Sequence, residues 1–410
     1  MSPLSIAPYF PFARVKLTGQ SVYLEHIVPA AMIHLEPDQR FRPLCHECGR
    51  PGNIHSTGLR RTIRDLNLGP AQSFLQVQYR RVWCGACGKA KVEQLSFADP
   101  SQRITHRLAR YIDTLCKLMT VQDVARHLDL DPKTVKAVDK HFLEQDFGST
   151  DYGGLRILAI DEISLTHGQE GYMTVVLDYL TGRVVWMGQG RKAQTLDAFF
   201  DGMTAQQKQA IEAVAMDMWE AFIKSVQTHC PRARIVFDLF HLVQGYAEVV
   251  DEVRRQEYKK ADTSQRAFIK GSRYLLLSNR DNLRDDQQSR LDELLAVNQR
   301  LSAVYILKDQ LKAIYHYRSR PWAKKALDQW CTLAGQVDHP LMRRFIGRLR
   351  FFEYGILNHC RYPIGTSPLE GVNNKIKVIK RKAYGFHDPE YFALKVKQAL
   401  PGSKPTTKLG

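Results

Sequence analysis

The sequence predicts a multidomain chain of mixed α+β and α/β class. It reads as a metal-stapled β-ribbon module, a helix pair, and a mixed sheet interrupted by an all-α insertion. Three observations lead there. Four of the eight cysteines fall into two CxxC pairs. Strand-like apolar runs fill the middle of the chain and give way to helical periodicity after about residue 240. Two of those runs, LRILAI at 155–160 and VAM at 214–216, end in acids, Asp161-Glu162 and Asp217. A length of 410 residues leaves room for two or three domains.

Composition narrows the partner. Lys and Arg number 59 against 42 Asp and Glu, a formal net charge of +17. Such an excess favours a polyanion, and nucleic acid first among them; a merely soluble basic protein is the plainer alternative. No apolar run approaches the roughly 18–20 residues that span a bilayer, so no membrane role is expected. The opening stretch MSPLSIAPYFPFARVKL holds three prolines and lacks the basic start and clean apolar centre of a signal peptide. A cytoplasmic location is expected. Cys116, Cys230, Cys331 and Cys360 are scattered singly and read as unpaired core residues of a reducing compartment.

Residues 1–100 are expected to form an N-terminal zinc-binding module. Cys45, Cys48, Cys84 and Cys87 make two CxxC turns, each able to turn two thiolates toward one tetrahedral ion. The 35 residues between the pairs suit a β-ribbon insert. Leu75, Val77, Tyr79 and Trp83 alternate with Gln76, Gln78 and Arg80 on a strand running into Cys84. One structural zinc is the expected ligand, with His46 and His55 as weaker competitors. Arg60, Arg61, Arg64, Arg80 and Arg81 line the module and suggest phosphate contact, although a solvated face explains them nearly as well.

Residues 101–150 read as a helix-turn-helix. Thr120 caps a helix whose apolar stripe is Val121, Val124, Ala125 and Leu128. Asp131-Pro132 opens the next, with Val135, Val138 and Phe142 inward. Lys133, Thr134, Lys136 and Lys140 then fall on a recognition face. A helical hairpin with no DNA role gives the same apolar pattern.

Residues 151–240 change period again. Buried strands are expected over 155–160, 172–177 and 183–187, with Asp178 in the turn between the last two. A helix over 193–203, a strand ending at Asp217, a helix over 220–228 and a strand ending at Asp238 follow. Three antiparallel strands and then alternating helix and strand is the order of the ribonuclease-H-like fold. Asp161 and Asp217 become candidates to hold two Mg²⁺ or Mn²⁺ ions, since these cations prefer hard oxygen ligands. Two such ions about 3.5–4 Å apart activate an attacking oxygen and stabilise a leaving one. A strand-end aspartate is common in any α/β protein, so a third acid is required.

Residues 241–366 read as an all-helical insertion, with helices over 242–260, 285–297, 303–317, 322–334 and 341–358 and dense charged faces. Arg318, Arg320 and Trp322 meet at a junction, where Trp322 reads as a buried cap on the bundle. Residues 367–400 return to the sheet domain. Glu370 lies in the first turn of a helix, where the dipole favours an anion. Lys375, Lys377, Lys380, Arg381 and Lys382 follow with no acid among them, and Lys377 and Arg381 share the face of Glu370. Glu370 is the candidate third acid; a basic, solvated helix is the plainer alternative. Residues 401–410 read as a flexible tail.

Taken in order, CHEC…VWCGACGK, the helix-turn-helix, LAIDEISLTHGQEGYMTVVLDYLTGRV, VAMDMW…IVFDLFH and SPLEGVNNKIKVIKRKAYGF resemble the ISL-three group of insertion-sequence transposases over most of 41–395. The resemblance implies that Asp161, Asp217 and Glu370 form an Asp-Asp-Glu triad for metal-dependent phosphodiester hydrolysis and strand transfer. It implies that the helical segment is inserted between the fifth strand and the glutamate helix. Asp238 and His241 resemble a DxxH element and become second-tier site candidates. The implied partners are double-stranded DNA (the element's terminal inverted repeats and the target) and further copies of the chain, a homodimer or higher, in a prokaryotic nucleoid. One departure is Gly365-Thr366-Ser367-Pro368, where an Asn-Gly-type turn is expected. Two rival functions fit parts of the sequence: a zinc-containing DNA-binding regulator with an inactive nuclease-like domain, and a structure-selective nuclease of the same fold.

Overall fold

A computed structural model describes residues 7–24, 28–164, 171–383, 385–386 and 388–403. Residues 165–170 (LTHGQE), inside the stretch LAIDEISLTHGQEGYMTVVLDYLTGRV, and the tail from 404 onward lie outside the described residues. The chain divides into two compact units, Met1–Phe142 and Leu143–Gly410.

The first unit is built on a mixed sheet of β1 (Val15–Tyr23), β2 (Ala30–Pro37), β3 (Asn53–Leu68), β4 (Ala71–Cys84) and β5 (Lys89–Val92). The order is β1-β2-β4-β3 with β5 on β4; β2 and β4 run parallel and the other pairs antiparallel. The expected ribbon between the CxxC pairs is the β3–β4 hairpin. Its turn passes through Gly69 at φ +59°, a left-handed conformation that glycine adopts without Cβ strain.

The alternation expected along β4 changes face midway. Leu75 and Val77 are buried, but so are Arg80, Val82 and Cys84, whereas Trp83 is about half exposed. The pairing with β3 slips between Ser56 and Leu59, where three β3 steps oppose two on β4. Beyond the slip the inward face packs on the cysteine cluster instead of the main core. Arg80 turns inward too, and its guanidinium pairs with buried Glu93 at 2.8 Å. Arg64 donates to the backbone oxygens of Asp65 and Ser73. These two arginines therefore stabilise the module from within, leaving Arg60 and Arg81 on the exposed surface.

Three helices follow: α1 (His106–Cys116), α2 (Val121–Leu128) and α3 (Pro132–Phe147). The first was not anticipated. Thr120 caps α2 by accepting from the Asp123 amide, as expected. Asp129, left-handed at φ 51°, turns the chain toward α3. Val124, Ala125, Leu128 and Val135 are buried together with the inner face of α1.

The second unit holds a sheet ordered β10-β9-β6-β7-β8. Its strands are β6 (Ile157–Ser164), β7 (Tyr172–Asp178), β8 (Arg183–Gln189), β9 (Ala213–Met216) and β10 (Arg234–Phe237). The pairs β6–β7 and β7–β8 are antiparallel; β6–β9 and β9–β10 are parallel. Between β8 and β9 lie α4 (Ala193–Asp201) and α5 (Ala205–Ala210), and between β9 and β10 lies α6 (Glu220–His229). After β10 come α7 (Leu239–Lys260), α8 (Thr263–Ile269), α9 (Arg273–Leu277), α10 (Asp285–Val297), α11 (Gln299–Ala313), α12 (Arg320–Gly335), α13 (Pro340–Phe351) and α14 (Glu353–Asn358). The chain then returns through α15 (Ser367–Lys382) and α16 (Pro389–Ala399).

Strand alternation sorts the sheet's two faces. Leu158, Ile160, Val214, Met216 and Phe237 pack with α4, α6 and the helices after β10. Ile157, Ala159, Ile163, Ala213 and Ala215 pack against Leu369, Val372 and Ile376 of α15 and Phe392 of α16. The outer edge of β10 is closed by side chains. Asn358 Nδ2 donates to Ile235 O at 2.8 Å, and Tyr315 Oη donates to Phe237 O at 3.0 Å. These bonds satisfy carbonyls that an edge strand otherwise exposes.

One expectation fails in the helical segment. Trp322 is 60% exposed, with Lys325 Nζ 5.3 Å from its ring centroid. The buried stripe of α12 runs through Ala323, Leu327, Trp330, Cys331 and Ala334, one position off the line of Trp322.

Candidate active site

The acids converge where two strands part. β6 and β9 pair only from Ile157–Ala213 to Ala159–Ala215. β9 ends at Met216, and Asp217 follows immediately. The strand expected to stop at residue 160 instead continues to Ser164, because β7 keeps pairing with it: Asp161 opposes Val175 and Glu162 opposes Thr174. Asp161 is therefore inside a strand rather than at its tip, but on the β9 side it stands just past the split. Its parity matches Ile157 and Ala159, so it faces the α15 layer; Glu162 faces the other way.

Both carboxylate oxygens of Asp161 have a donor. Oδ1 accepts from the Glu162 amide at 2.8 Å and Oδ2 from Asn373 Nδ2, on α15, at 2.6 Å. Asp217 Oδ1 is buried and lies 2.9 Å from His241 Nε2, as an ion pair. Glu162 faces the Arg191 guanidinium at 3.8 Å. Arg191 in turn stacks on Tyr172 and Trp219, and its carbonyl accepts from the Trp219 indole at 3.0 Å. An open cleft of about 290 Å³ lies beside Asp217 and Glu162, with Trp219, His241, Gln244, Glu248 and Arg348 also lining it.

The electrostatics favour an added cation. Burial, followed by the Asp217 charge, holds the Asp161 carboxyl above its ordinary range, although the Glu162 amide opposes the shift. Burial and then Asp161 and Asp217 raise Glu162 likewise. For His241, burial acts to lower the imidazolium pKa, but neighbouring Asp217, Asp238 and Asp161 outweigh it and the net shift is upward. Crowded carboxylates, with Asp161 and Glu162 raised in part by the charge of Asp217, offer hard oxygen donors that fit a divalent cation of the Mg²⁺ or Mn²⁺ class.

The other expected residues are placed as follows. Glu370 is exposed in the first turn of α15, one turn ahead of Asn373 on the same helix face. Its carboxylate does not close a tight cage with the two aspartates. Among the described residues, the group of three or more Cys, His, Asp or Glu placed to hold a metal ion is the cysteine set, whose ligand atoms lie within 4.8 Å of one another. Asp238 is buried and bound to Thr366: Oδ1 accepts from the Thr366 amide at 3.4 Å and Oδ2 from its hydroxyl. That contact fixes the unusual Gly-Thr-Ser-Pro turn and pins the start of the Glu370 helix to the end of β10. Asp178 accepts from the Leu180 amide and the Thr181 hydroxyl, as a turn residue does. Lys375 donates to Ala399 O, while Lys377, Arg381 and Lys382 are exposed and Lys380 half-buried. On α3, Lys133 is exposed and Thr134, Lys136 and Lys140 half-buried.

Sequence reasoning left out Arg191, Arg348 and Asn373, and quoted Glu162 without assigning it. Helical spacing from Glu370 was the available signal for Asn373; for the arginines there was none.

In the first unit, Cys45, Cys48, Cys84 and Cys87 come together. Cys48 Sγ lies 3.4 Å from Cys84 Sγ, and Cys45 Sγ lies 4.0 Å from Cys87 Sγ. Tetrahedral Zn–S bonds of about 2.3 Å place sulfurs about 3.8 Å apart, so the set fits zinc. The Cys87 amide, followed by the Cys48 thiol, lowers Cys84, whereas hydrogen bonding to Cys48 and burial raise Cys87. A cation would relieve the opposition of the first thiolates to the last. His46 turns away, its Nδ1 3.0 Å from Val92 O.

Comparison with known proteins decides the family. Residues 158–396 match the ISL3 transposase sequence model, and residues 93–143 match the helix-turn-helix domain of transposase family ISL3. The chain belongs to the ISL3 transposase family. This transposase is 43% identical over 375 residues to the transposase of insertion sequence element IS1001 from Bordetella parapertussis, covering 90% of this chain and 92% of that one. It is 26% identical over 387 residues to the transposase of IS1557 from Mycobacterium tuberculosis, covering 88% and 86%. The helix-turn-helix match takes in α1, α2 and most of α3, a DNA-binding element of the transposase family. The larger match takes in Asp161, Asp217 and Glu370. No helix among the described residues is long and apolar enough to cross a membrane.

Proposed function

We propose that the chain binds the terminal inverted repeats of its own insertion sequence and cuts and joins DNA with Asp161, Asp217 and Glu370. The observation that carries this is the split between β6 and β9: Asp161 and Asp217 stand on its two sides, and α15 is tied to Asp161 through Asn373. The strand order, three antiparallel and two parallel, supports a ribonuclease-H-like core. In this reading the domains are a zinc-binding module at 1–100, a helix-turn-helix at 101–150, a core at 151–240 and 367–400, and the helical insertion at 241–366.

Asp161, Asp217 and Glu370 would hold two Mg²⁺ or Mn²⁺ ions, which when bound supply Lewis-acid polarisation of the scissile phosphate. His241 steadies the Asp217 carboxylate. Arg348 and the bases Lys375, Lys377, Lys380, Arg381 and Lys382 hold the phosphates of the strand being cut. Water attacks phosphorus at the element end, the P–O3′ bond breaks, and a free 3′-hydroxyl leaves. That hydroxyl then attacks a target phosphodiester, forming a new P–O bond and releasing a target 3′-hydroxyl. The zinc module and the face bearing Lys133, Thr134, Lys136 and Lys140 recognise the ends, and a dimer or larger assembly pairs two of them.

Asp217→Ala should abolish end cleavage, by more than about a thousandfold, while gel-shift affinity for the inverted repeat stays within a few-fold. Cleavage by this variant at the normal rate in Mg²⁺ would sink the mechanism. Pre-cut ends with a supercoiled target separate a transposase, which yields joined product, from a nuclease, which yields none.

A further inference from the structure

Asn373 stands where α15 meets β6, and its two polar atoms have different fates. Nδ2 donates to Asp161 Oδ2 at 2.6 Å. Oδ1 is buried and has no hydrogen-bond partner among the described residues. The amide cannot be turned round, because Oδ1 would then face a carboxylate, acceptor against acceptor. A buried carbonyl oxygen left without a donor is uncommon in folded proteins and calls for a ligand, an ion or a water. The surroundings argue for an ion. Asp161 is held at both oxygens, each of which keeps a free lone pair, and its charge is crowded by Asp217. A neutral amide oxygen is a hard donor of the kind that Mg²⁺ and Mn²⁺ accept, and it adds no further negative charge to this crowd.

We infer that Asn373 is a ligand residue of the acid site: Nδ2 orients Asp161, and Oδ1 supplies a neutral oxygen to the divalent cation that Asp161 holds. The inference rests on the active-site reading above and adds to it a ligand outside the Asp-Asp-Glu set. It also gives α15 a second attachment to the site, one turn beyond Glu370. A strut joining α15 to β6 needs only the N–H; the ligand role needs the oxygen as well.

The test is Mn²⁺ binding to the full-length, zinc-loaded chain without DNA, read from the free-ion electron paramagnetic resonance signal. Asn373→Ala should weaken Mn²⁺ binding by about 10- to 100-fold. Asn373→Asp keeps an oxygen at the same place and should bind at least as tightly as wild type. Wild-type affinity in Asn373→Ala overturns the inference. So does an equal loss in Asn373→Asp, since the N–H alone would then matter. Melting in the absence of cation checks folding, and Asn373→Ser replaces Asn373→Ala if the latter does not fold. Asp161→Ala separates the two claims: wild-type Mn²⁺ binding there defeats the active-site reading itself, whereas loss there with none in Asn373→Ala defeats the ligand role alone.

Discussion

Lys308 is an ammonium buried among the helices that follow β10, with about 1% of its surface exposed. Its Nζ donates to Leu276 O at 2.7 Å and Ser278 O at 2.6 Å, closing the end of α9, and no carboxylate among the described residues is bonded to it. Burial pulls its pKa down to about 8 from an ordinary 10.5, and nearby Asp309 only partly opposes this. The sign follows from proton counting. Between those two values the unfolded chain keeps the proton and the folded chain releases it, so stability rises as pH climbs from about 8 to 10.5. The full interval corresponds to roughly 3 kcal/mol. Urea unfolding at pH 7.5 and pH 10 should show wild type gaining stability relative to Lys308→Met, whose buried side chain does not titrate. Parallel pH dependence in the two proteins would remove Lys308 as the cause.

At the scale of elements, the end of β10 is where the helical segment grips the sheet. Tyr315 and Asn358 bind the strand's outer carbonyls, and α14 lies so close that a Cβ on Gly355 would meet the Phe237 ring at 2.3 Å. Phe237 is fully buried, with Phe352 and Tyr354 against its ring, so it has no room to yield. Gly355→Ala should therefore cost about 1–3 kcal/mol by overpacking, read as a lower melting temperature for the second unit. An unchanged melting temperature would show that α14 is free to shift. The strands of this sheet were visible in the sequence because buried strands write themselves as apolar runs, and β9 and β10 end in the acids that cap those runs. The helix over 285–297 matched α10 to the residue, since its stripe is bounded by acids at one end and Asn298 at the other. Less was legible in β1 and β2, whose alternation is diluted by polar residues at half-exposed positions. Trp322 was misread because a large aromatic at a junction says nothing about the helix's rotation. The Asp161–Asn373 contact joins residues 212 apart, a separation that no local pattern in the sequence bridges.

Over the whole molecule, the two compact units differ in what holds them together. The second unit has a sheet covered on both faces by helices and two extensive apolar clusters. The first has a small core behind β2 and β4, a helical cluster and, around the cysteines, just Cys45, Val82 and Cys84 buried with Cys87 beside them. That last cluster is too small to order the loops at 45–48 and 84–87 by apolar burial alone, so a bound zinc would have to supply the difference. Metal binding of this kind is folding free energy, because the unfolded chain offers no preformed site. Calorimetry of the zinc-loaded chain should resolve two transitions. A zinc-selective chelator, or Cys84→Ser, should lower the transition of the first unit by well over 10 °C and leave that of the second in place. Inverted-repeat binding should fall with the first, since the helix-turn-helix belongs to the same unit, while Mn²⁺ binding at the acids persists. If the chelator left both transitions unmoved, the four sulfurs would not be a zinc site; if it moved both equally, the two units would not unfold independently.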